Sequence, residues 1–412
     1  MSRSPLLPIF LTVFVDVLGL TLMLPLLPLY AEHFGATPFV ATLLGASYAA
    51  CQLVSGPLLG RLSDRIGRKP VLLASQMGTL ASLLLIASAG WISVKYGLVL
   101  LFVGRMIDGS TAGNLSIAQA YISDVTKPEN RTRAFGLIGI AFGTGFLVGP
   151  GISGVLASHY GFAAPVFLAA ALSLLSIVCT VAFLPGKDEL DRLKLEHAGP
   201  MPEVAAPAAG ARTLALGKFL GRPLARRRLL QFFCFTTSFA TLTGGLALFL
   251  ERRFGFGVGQ TGNVFMVSGF VGALIQGGLI GRLVKRVGEA KLALLGFGTM
   301  VLGYPLLGFI GSSLPALFVI VAFSSFGVAV VRPCLTTLIT KSVGRHEQGG
   351  ALGTSQSLAS ISQMVGQPLA GLLIGSALID WYGVAAGVFA LVGALLSLQP
   401  EPAADAVGSS VP

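Results

Sequence analysis

The stretch GRLSDRIG at residues 60–67 recurs in the second half of the chain as GRLVKRVG at residues 281–288. Five of the eight residues are identical, at an offset of 221 residues. Each copy follows an apolar segment that is long enough to cross a bilayer, and in each half this segment is the second of its kind. A basic, glycine-flanked stretch at equivalent positions indicates that the two halves share one duplicated architecture.

Apolar segments of bilayer length follow one another along the rest of the chain. Only 11% of the 412 residues are charged, 54% are hydrophobic and the mean hydropathy is +0.82, whereas soluble domains carry about 25% charged residues. The pattern predicts an all-α membrane protein with twelve transmembrane helices in two pseudo-symmetric six-helix bundles. We place the helices at residues 6–29, 39–60, 70–90, 97–122, 133–157, 163–184, 229–250, 260–281, 291–310, 314–339, 349–373 and 378–398.

Lysine and arginine are concentrated on one side of the predicted spans. An even number of spans places both termini on the same side, where 23 of the 28 Lys and Arg residues then lie, against three in the opposite loops. Because such an excess marks the cytoplasmic face, we predict a multi-pass protein of a cell membrane, the bacterial inner membrane, with both termini in the cytoplasm. The net charge of +11 follows from this topology and predicts no nucleic-acid partner.

The spans divide the chain into four parts. We predict an N-terminal bundle at 1–184, a cytoplasmic linker at 185–228, a C-terminal bundle at 229–398 and a disordered tail at 399–412. The linker contains an Ala/Pro/Gly run, a composition typical of flexible connections. Within it, residues 212–224 mix Leu and Phe with spaced basic residues, which fits either a short interfacial helix or a structureless chain.

Other chemistries have no support in the sequence. The four cysteines lie inside predicted spans without a CxxC spacing, and the four histidines lie in predicted loops. These positions predict neither a disulfide framework nor a metal site. No nucleotide-binding loop is present. We therefore predict a protein that is not an enzyme, holds no cofactor, is not driven by ATP and acts as a monomer.

Four ionisable side chains lie well inside predicted spans: Asp16, Arg105, Asp108 and Arg332. A charge at the bilayer centre costs at least about 2.5–3.5 kcal/mol, and the helix rise places Asp16 and Asp108 roughly 15 Å and 20 Å from the predicted cytoplasmic face. Arg105 and Asp108 share a helix face at i,i+3. The group fits a proton pathway in which Asp16 and Asp108 carry protons and Arg105 modulates them, or a static ion pair that fixes helix packing.

Candidate substrate contacts surround these charges. The face of span four that holds Arg105 and Asp108 continues as a stripe of small and polar residues, namely Gly109, Ala112, Ser116 and Gln119. We predict substrate contacts from Arg105, Ser116, Gln119 and, in span seven, Phe235, for which lipid contact is the alternative. Arg332 in span ten fits either a site for an anionic substrate group or a position near the cytoplasmic mouth.

Four motifs, in this order and topology, resemble a known family. They are DVLG at 16–19 followed by Pro25 and Pro28, GRLSDRIGRKP at 60–70, GRMIDG at 104–109, and Gly145-xxx-Gly149-Pro150-xxx-Gly154. Together they resemble the major facilitator superfamily, in the twelve-helix drug:proton antiporter branch that includes tetracycline efflux pumps. The resemblance implies alternating access and secondary active export of a small amphiphilic organic compound in exchange for protons.

The same resemblance implies which residues act as a gate. They are Gly60, Asp64, Arg65, Gly67 and Arg68 in the cytoplasmic loop, and Gly145, Gly149 and Pro150 in span five. Glycines at 60 and 67 permit a tight turn, and Asp64 with its basic neighbours can lock the two halves; the alternative is a cluster that only fixes topology. Tetracycline pumps imply an Asp in span three, where Ser82 stands, so the proton role falls to spans one and four.

Two other function classes stay open. One is an organic-anion symporter or exchanger that uses Arg105 and Arg332 as a clamp. The other is a membrane receptor or scaffold that transports nothing, for which the linker lacks the folded signalling domain that we would expect. In the favoured hypothesis the partners are a small-molecule substrate, protons and the lipid bilayer.

Overall fold

The computed structural model describes residues 6–92, 94–125, 131–184, 219, 221–344, 347–376 and 378–399. Side chains are not described at 6–9, 94–95, 115–116, 123–125 and 131–139. The predicted tail beyond Gln399 and residues 185–218 and 220 of the predicted linker lie outside the described residues.

Helices make up the regular structure of the described residues, with the exception of one 3₁₀ turn and one π-helical turn. In the first half they are α1 (Leu6–His33), α2 (Pro38–Ile66), α3 (Arg68–Ser88), the 3₁₀ turn Ala89–Trp91, α4 (Val94–Ser110), α5 (Asn114–Val125), α6 (Arg131–Tyr160) and α7 (Ala163–Phe183). In the second half they are α8 (Pro223–Phe254), α9 (Val258–Leu274), the π-helical turn Ile275–Leu279, α10 (Ile280–Val287), α11 (Glu289–Phe309), α12 (Leu314–Lys341), α13 (Gln348–Gly375) and α14 (Trp381–Leu398).

Eleven helices of the described chain are long and apolar enough to cross a membrane. The predicted span 97–122 is the exception, because a turn at residues 111–113 divides it into α4 and α5. At this turn the Gly113 amide bonds the Thr111 carbonyl at 2.7 Å, and a methyl group on Gly113 would lie 2.9 Å from the Ser75 hydroxyl. The predicted continuous stripe down span four is therefore wrong, since the turn changes the direction of every residue after it.

The repeat has the same backbone geometry in both halves. Gly67 has φ 103° and ψ 156°, and Gly288 has φ 81° and ψ 154°. A positive φ is readily accessible only to glycine, so each copy needs this residue to turn from one helix into the next. The predicted turn at Gly60 is wrong, because α2 continues to Ile66 and Gly60 lies inside it.

The two halves meet through pairs of glycine-containing helices. We call the end of the molecule that carries Gly67 and Gly288 the basic end, and the other end the opposite end. Toward the opposite end, α13 packs on α2 so closely that a methyl group on Gly371 would lie 2.6 Å from the Pro38 carbonyl oxygen. Helix α9 packs on α6 in the same way, with Gly262 against the Pro150 carbonyl at 2.4 Å.

The halves separate toward the basic end. Gly45, Gln52 and Gly56 lie on one face of α2 at helical spacing. Gly45 packs against Gln367 of α13, and Gln52 contacts Ser360, but nothing lies within 4 Å of the Cβ position of Gly56. The same face is thus covered at the opposite end and open below mid-depth. From this uncovered face we infer a cleft between the halves that is open to the basic end.

An ion pair closes the opposite end. Arg252 of α8 contacts Glu32 of α1 with both of its terminal nitrogens, at 2.6 Å and 3.1 Å. Such a bidentate pair is the strongest geometry that an arginine and a carboxylate form. Because α1 and α8 belong to different halves, the pair holds the halves together at this end.

Helix α8 starts earlier than the sequence predicts. It begins at Pro223, within the predicted linker, since proline suits the first turn of a helix. Arg227, only 7% exposed, donates from Nε to the Leu396 carbonyl at 2.7 Å and from Nη2 to the Gln399 carbonyl. It thereby satisfies carbonyl groups that the end of α14 leaves without helical partners.

Candidate proton and substrate site

Asp16 lies on α1 and is bonded by a side chain of α7, which a side chain of α3 holds in turn. The Ser176 hydroxyl donates to Asp16 Oδ1 at 3.1 Å. Gln76 Nε2 in turn donates to the Ser176 and Thr180 hydroxyls at 2.8 Å and 3.0 Å. Ser176, Gln76 and Thr180 are fully buried, whereas Asp16 is half-buried. A buried polar network of α3 and α7 therefore holds one side of the Asp16 carboxylate, and the side away from this network stays accessible.

Arg105 and Asp108 form an ion pair one helical turn apart, as their spacing predicts. Arg105 Nη1 lies 2.9 Å from Asp108 Oδ2, and the Thr79 hydroxyl donates to Asp108 Oδ1 at 3.1 Å. The guanidinium carbon also lies 4.2 Å from the centre of the Tyr48 ring, a cation–π distance. Arg105 thus has a carboxylate on one side and an aromatic face on the other.

The two carboxylates belong to one electrostatic group. Asp16 and Asp108 are close enough to repel each other, and the Asn114 side chain lies near Asp16. Asn114 is the first residue of α5, so the turn at 111–113 directs it toward α1. Buried atoms with no partner among the described residues lie in the same group: Gln76 Oε1, Arg105 Nε and Asn114 Oδ1. They leave hydrogen-bonding capacity for water or for a polar substrate group.

A polar chain links this group to the second half. Gln52 Nε2 donates to the Tyr48 hydroxyl at 3.2 Å, and the Ser360 hydroxyl of α13 donates to Gln52 Oε1 at 3.3 Å. Tyr48 also carries the Arg105 guanidinium on its ring. The charge on Arg105 is therefore connected, through three side chains, to the interface between the halves.

Arg332 faces the cleft from α12. Val319 and Phe323 are exposed apolar residues on the outer face of this helix, and Arg332 lies about 180° around the helix from Phe323 at about 100° per residue. Its side chain is exposed on the side of the helix away from these apolar residues. Among the described residues, the guanidinium has no ion-pair or hydrogen-bond partner. These properties are those of a residue on the wall of an internal cleft.

Comparison with known proteins identifies the family. The family model described as the Major Facilitator Superfamily matches residues 9–288 and 274–410. The chain belongs to the Major Facilitator Superfamily. Together with the apolar helices, this membership makes it a multi-pass membrane protein and confirms the predicted family and fold.

Individual relatives match almost the whole chain. Tetracycline resistance protein, class C, from Escherichia coli is 30% identical over 98% of this chain and 96% of its own length. Major facilitator superfamily domain-containing protein 10 from Homo sapiens is 30% identical over 87% of this chain and 84% of its own. The crystal structure of the human organic anion transporter MFSD10 superposes with a TM-score of 0.69 at 25% identity, and covers 96% of this chain and 99% of that one.

The loop motif of this superfamily member is joined internally in the present conformation. Asp64 Oδ1 lies 2.5 Å from Arg68 Nη1, which also donates to the Ser63 hydroxyl at 2.7 Å. Arg65 is exposed at the basic end. The predicted lock between the halves stays a prediction, because in this conformation Asp64 at the end of α2 is paired with Arg68 at the start of α3, within the same half.

The glycines of span five bring α6 close to helices of both halves. A methyl group on Gly145 would lie 2.8 Å from Val17, and one on Gly149 would lie 2.1 Å from the Thr21 hydroxyl, both on α1. Pro150 and Gly154 face α9 instead. Helix α6 therefore packs closely against α1, which carries Asp16, and against α9 of the second half. This close helix packing is what the motif predicts.

Two predicted substrate contacts lie away from the cleft or outside the description. Phe235 is 1% exposed and packs between Phe232 and Phe239, so the predicted substrate wall at Phe235 is wrong in this conformation. The side chain of Ser116 lies outside the described residues, and Gln119 is exposed on α5. Because α8 is apolar on all sides around Phe235, the sequence does not show which face of this helix is turned toward the cleft.

Several partners of the charged group were not predicted from the sequence. Tyr48, Gln52 and Gln76 are polar residues inside apolar spans, a signal that could have indicated the site. Ser176 and Thr79 give no such signal, because serine and threonine are common wherever membrane helices pack.

Proposed function

We propose that this superfamily member exports a small amphiphilic organic compound in exchange for protons, by alternating access. The enclosed group of Asp16, Asp108 and Arg105 carries the proposal. With both carboxyls ionised, the group has one negative charge in excess, and one bound proton makes it neutral. Since an uncompensated charge is disfavoured inside a membrane protein, the group favours binding one proton whenever water reaches it.

Arg105 links the proton to the motion of the halves. A proton on Asp108 removes the anionic partner of Arg105, whose remaining anionic neighbour is Asp16. Its displacement from the Tyr48 ring disturbs the chain through Gln52 to Ser360 in the second half. Proton binding in the first half thereby changes the contact between the halves. Neither step needs an enzymatic reaction or a cofactor, and one monomer in a bilayer suffices.

The orientation in the membrane is part of the proposal. The excess of basic residues supports a cytoplasmic location for the basic end and for both termini, in a bacterial inner membrane. The cleft of the present conformation then faces the cytoplasm, where an exported compound would be loaded. The relative named for tetracycline resistance supports export as the direction of transport.

Purified protein in sealed vesicles tests the proposal. Vesicles with an acidic interior should accumulate tetracycline or a related amphiphile while protons leave, as followed by a pH-sensitive dye inside. A protonophore should abolish the accumulation, and empty vesicles serve as the control. Movement of compound and protons in the same direction would contradict antiport.

The second candidate is symport or exchange of an organic anion. The cleft-facing, unpaired Arg332 favours it, as does the human relative whose structure is titled an organic anion transporter. Arg105 does not fit the predicted two-arginine clamp in this conformation, because Asp108 already occupies its guanidinium. The vesicle assay separates the candidates by the direction of proton flow.

Asp64→Asn tests the proposed gate. We expect slower turnover with little change in substrate binding, because Asp64 lies in the last turn of α2 at the basic end, far along the helix from the charged group. Transport rates and equilibrium binding measured on the same preparation check this expectation. Asp64→Glu, which keeps the charge, is the matched control and should retain most of the activity. Unchanged turnover in Asp64→Asn would exclude Asp64 from the gate.

A further inference from the structure

We propose that Arg332 and the neighbouring π-helical turn Ile275–Leu279 form a subsite for the anionic group of the substrate. The inference rests on the proposed function and names its substrate class: an amphiphile whose apolar body carries a carboxylate, sulfonate or phosphate group. The proton site then lies in the first half and the anion subsite in the second.

The position of Arg332 demands an anionic partner. It lies nine residues before the end of α12 at Lys341, about 14 Å from that end at the helical rise of about 1.5 Å per residue. At this depth, an arginine is normally paired or placed in a water-filled cavity that serves transport. Arg332 is cleft-facing, and its guanidinium has no partner among the described residues.

The protein itself offers little counter-charge. Residues 258–287, 314–341 and 348–375, which comprise the helix of Arg332 and two segments that pack on it, contain no Asp or Glu. Glu289, which begins α11, is engaged with Lys341 at 2.6 Å at the basic end. An anion that enters the cleft is therefore the natural partner of this guanidinium.

The π-helical turn supplies the space and a second polar group. π-helical turns are rare and occur mostly at functional sites. Gln276 in this turn is exposed, and its amide donates to the Ala329 carbonyl at 3.4 Å, one helical turn before Arg332. Nothing lies within 4 Å of the Cβ positions of Gly277 and Gly278. An acidic group can approach Arg332 and Gln276 across this open glycine surface.

The α9–α12 contact fixes the geometry of the subsite. The Ser325 hydroxyl of α12 donates to the Ser268 hydroxyl of α9 at 2.7 Å, toward the opposite end from Arg332. Ser325, Ala329 and Arg332 lie on neighbouring positions of one α12 face. The turn and the arginine are thus held beside each other by a contact that does not involve the ligand.

Charge bookkeeping gives a distinct transport signature. If an anion leaves while n protons enter, each cycle carries n + 1 positive charges inward. Export of the acid should therefore depend strongly on membrane potential, and export of its neutral ester should depend on it less. The comparison needs no knowledge of the natural substrate.

Binding of 2-naphthoate and of its methyl ester tests the subsite. Arg332→Gln should weaken binding of the carboxylate about 10- to 100-fold, the range for loss of a charged hydrogen bond, and leave binding of the ester within a few-fold. Arg332→Lys should restore part of the difference, and Gln276→Leu should show a smaller loss of the same kind. Arg286→Gln, which removes an exposed arginine at the basic end, is the matched control and should bind both compounds as the wild type does.

Three outcomes would overturn the subsite. The first is equal weakening of acid and ester in Arg332→Gln by a protein that remains monodisperse. The second is unchanged binding of the acid in both Arg332→Gln and Gln276→Leu. The third is equal binding of the acid by wild type and Arg332→Gln in vesicles that contain phosphatidylglycerol, with a difference only in pure phosphatidylcholine, which would assign the arginine to a lipid headgroup in an anionic membrane. Proton-driven transport of the ester by Arg332→Gln would show that antiport stands even where the subsite fails.

Discussion

Asp16→Asn should reduce proton-driven transport to the background of empty vesicles. The amide is nearly isosteric with the carboxylate and can still accept a hydrogen bond from Ser176, so the packing of α1 against α7 should survive. What is lost is the group that exchanges a proton with the cleft. The charged group then has one carboxylate and one guanidinium, is neutral without a proton and has no reason to bind one.

Exchange at equal pH distinguishes this effect from damage to the fold. Vesicles preloaded with unlabelled substrate should still exchange it for labelled substrate in Asp16→Asn, because exchange needs the moving halves but no net proton transfer. Asp16→Glu, which keeps an ionisable carboxyl, is the control and should retain measurable proton coupling. Wild-type accumulation by Asp16→Asn would remove Asp16 from the mechanism. Loss of both exchange and accumulation would instead assign Asp16 a role in helix packing.

Gly262→Ala should shift the protein away from the conformation described above. The added methyl group would lie 2.4 Å from the Pro150 carbonyl oxygen and 3.2 Å from the Pro150 carbonyl carbon. Both atoms belong to the α6 backbone, which cannot yield as a flexible side chain can. Overpacking of this kind costs about 1–3 kcal/mol, and the cost applies only while the halves touch at the opposite end. Separation of the halves at the opposite end removes this cost. The population of molecules with the opposite end open should therefore rise about 5- to 150-fold.

Gly272→Ala is the matched control on the same helix, because nothing lies within 4 Å of its Cβ position. A single cysteine introduced as Thr42→Cys, after replacement of the four native cysteines, reports the opening. Thr42 is 2% exposed and packs against Gly371 between the halves. Its labelling by a membrane-impermeant maleimide should accelerate in Gly262→Ala and stay unchanged in Gly272→Ala. Equal labelling in both variants would show that this contact does not set the balance between the two conformations.

The charged centre could be predicted because charges in a membrane are costly. Asp16, Arg105 and Asp108 are conspicuous in apolar segments, and helical periodicity alone places Arg105 beside Asp108. Their partners depend on how α3 and α7 are rotated about their axes. Because these helices are mostly apolar, the sequence pattern does not predict that rotation. The network through Ser176 and Thr79 therefore emerges only from the packed helices.

Backbone irregularities were harder to predict than spans. The turn at 111–113 interrupts an apolar segment without a proline, so hydropathy predicts one span where the structure has α4 and α5. Gly60 and Gly67 bound the same motif, but only Gly67 adopts a positive φ. Glycine permits a turn without requiring it, and neighbouring helices decide which glycine is used.

The Arg252–Glu32 pair makes the present conformation sensitive to the salt concentration. It lies at the water-exposed rim, where physiological salt screens charges over about 8 Å and more concentrated salt over less. The Asp108–Arg105 pair is enclosed and is screened much less. A high salt concentration therefore weakens the Arg252–Glu32 pair and leaves the Asp108–Arg105 pair almost unchanged. Ionic strength can thus perturb the closure of the opposite end separately from proton binding, without any mutation.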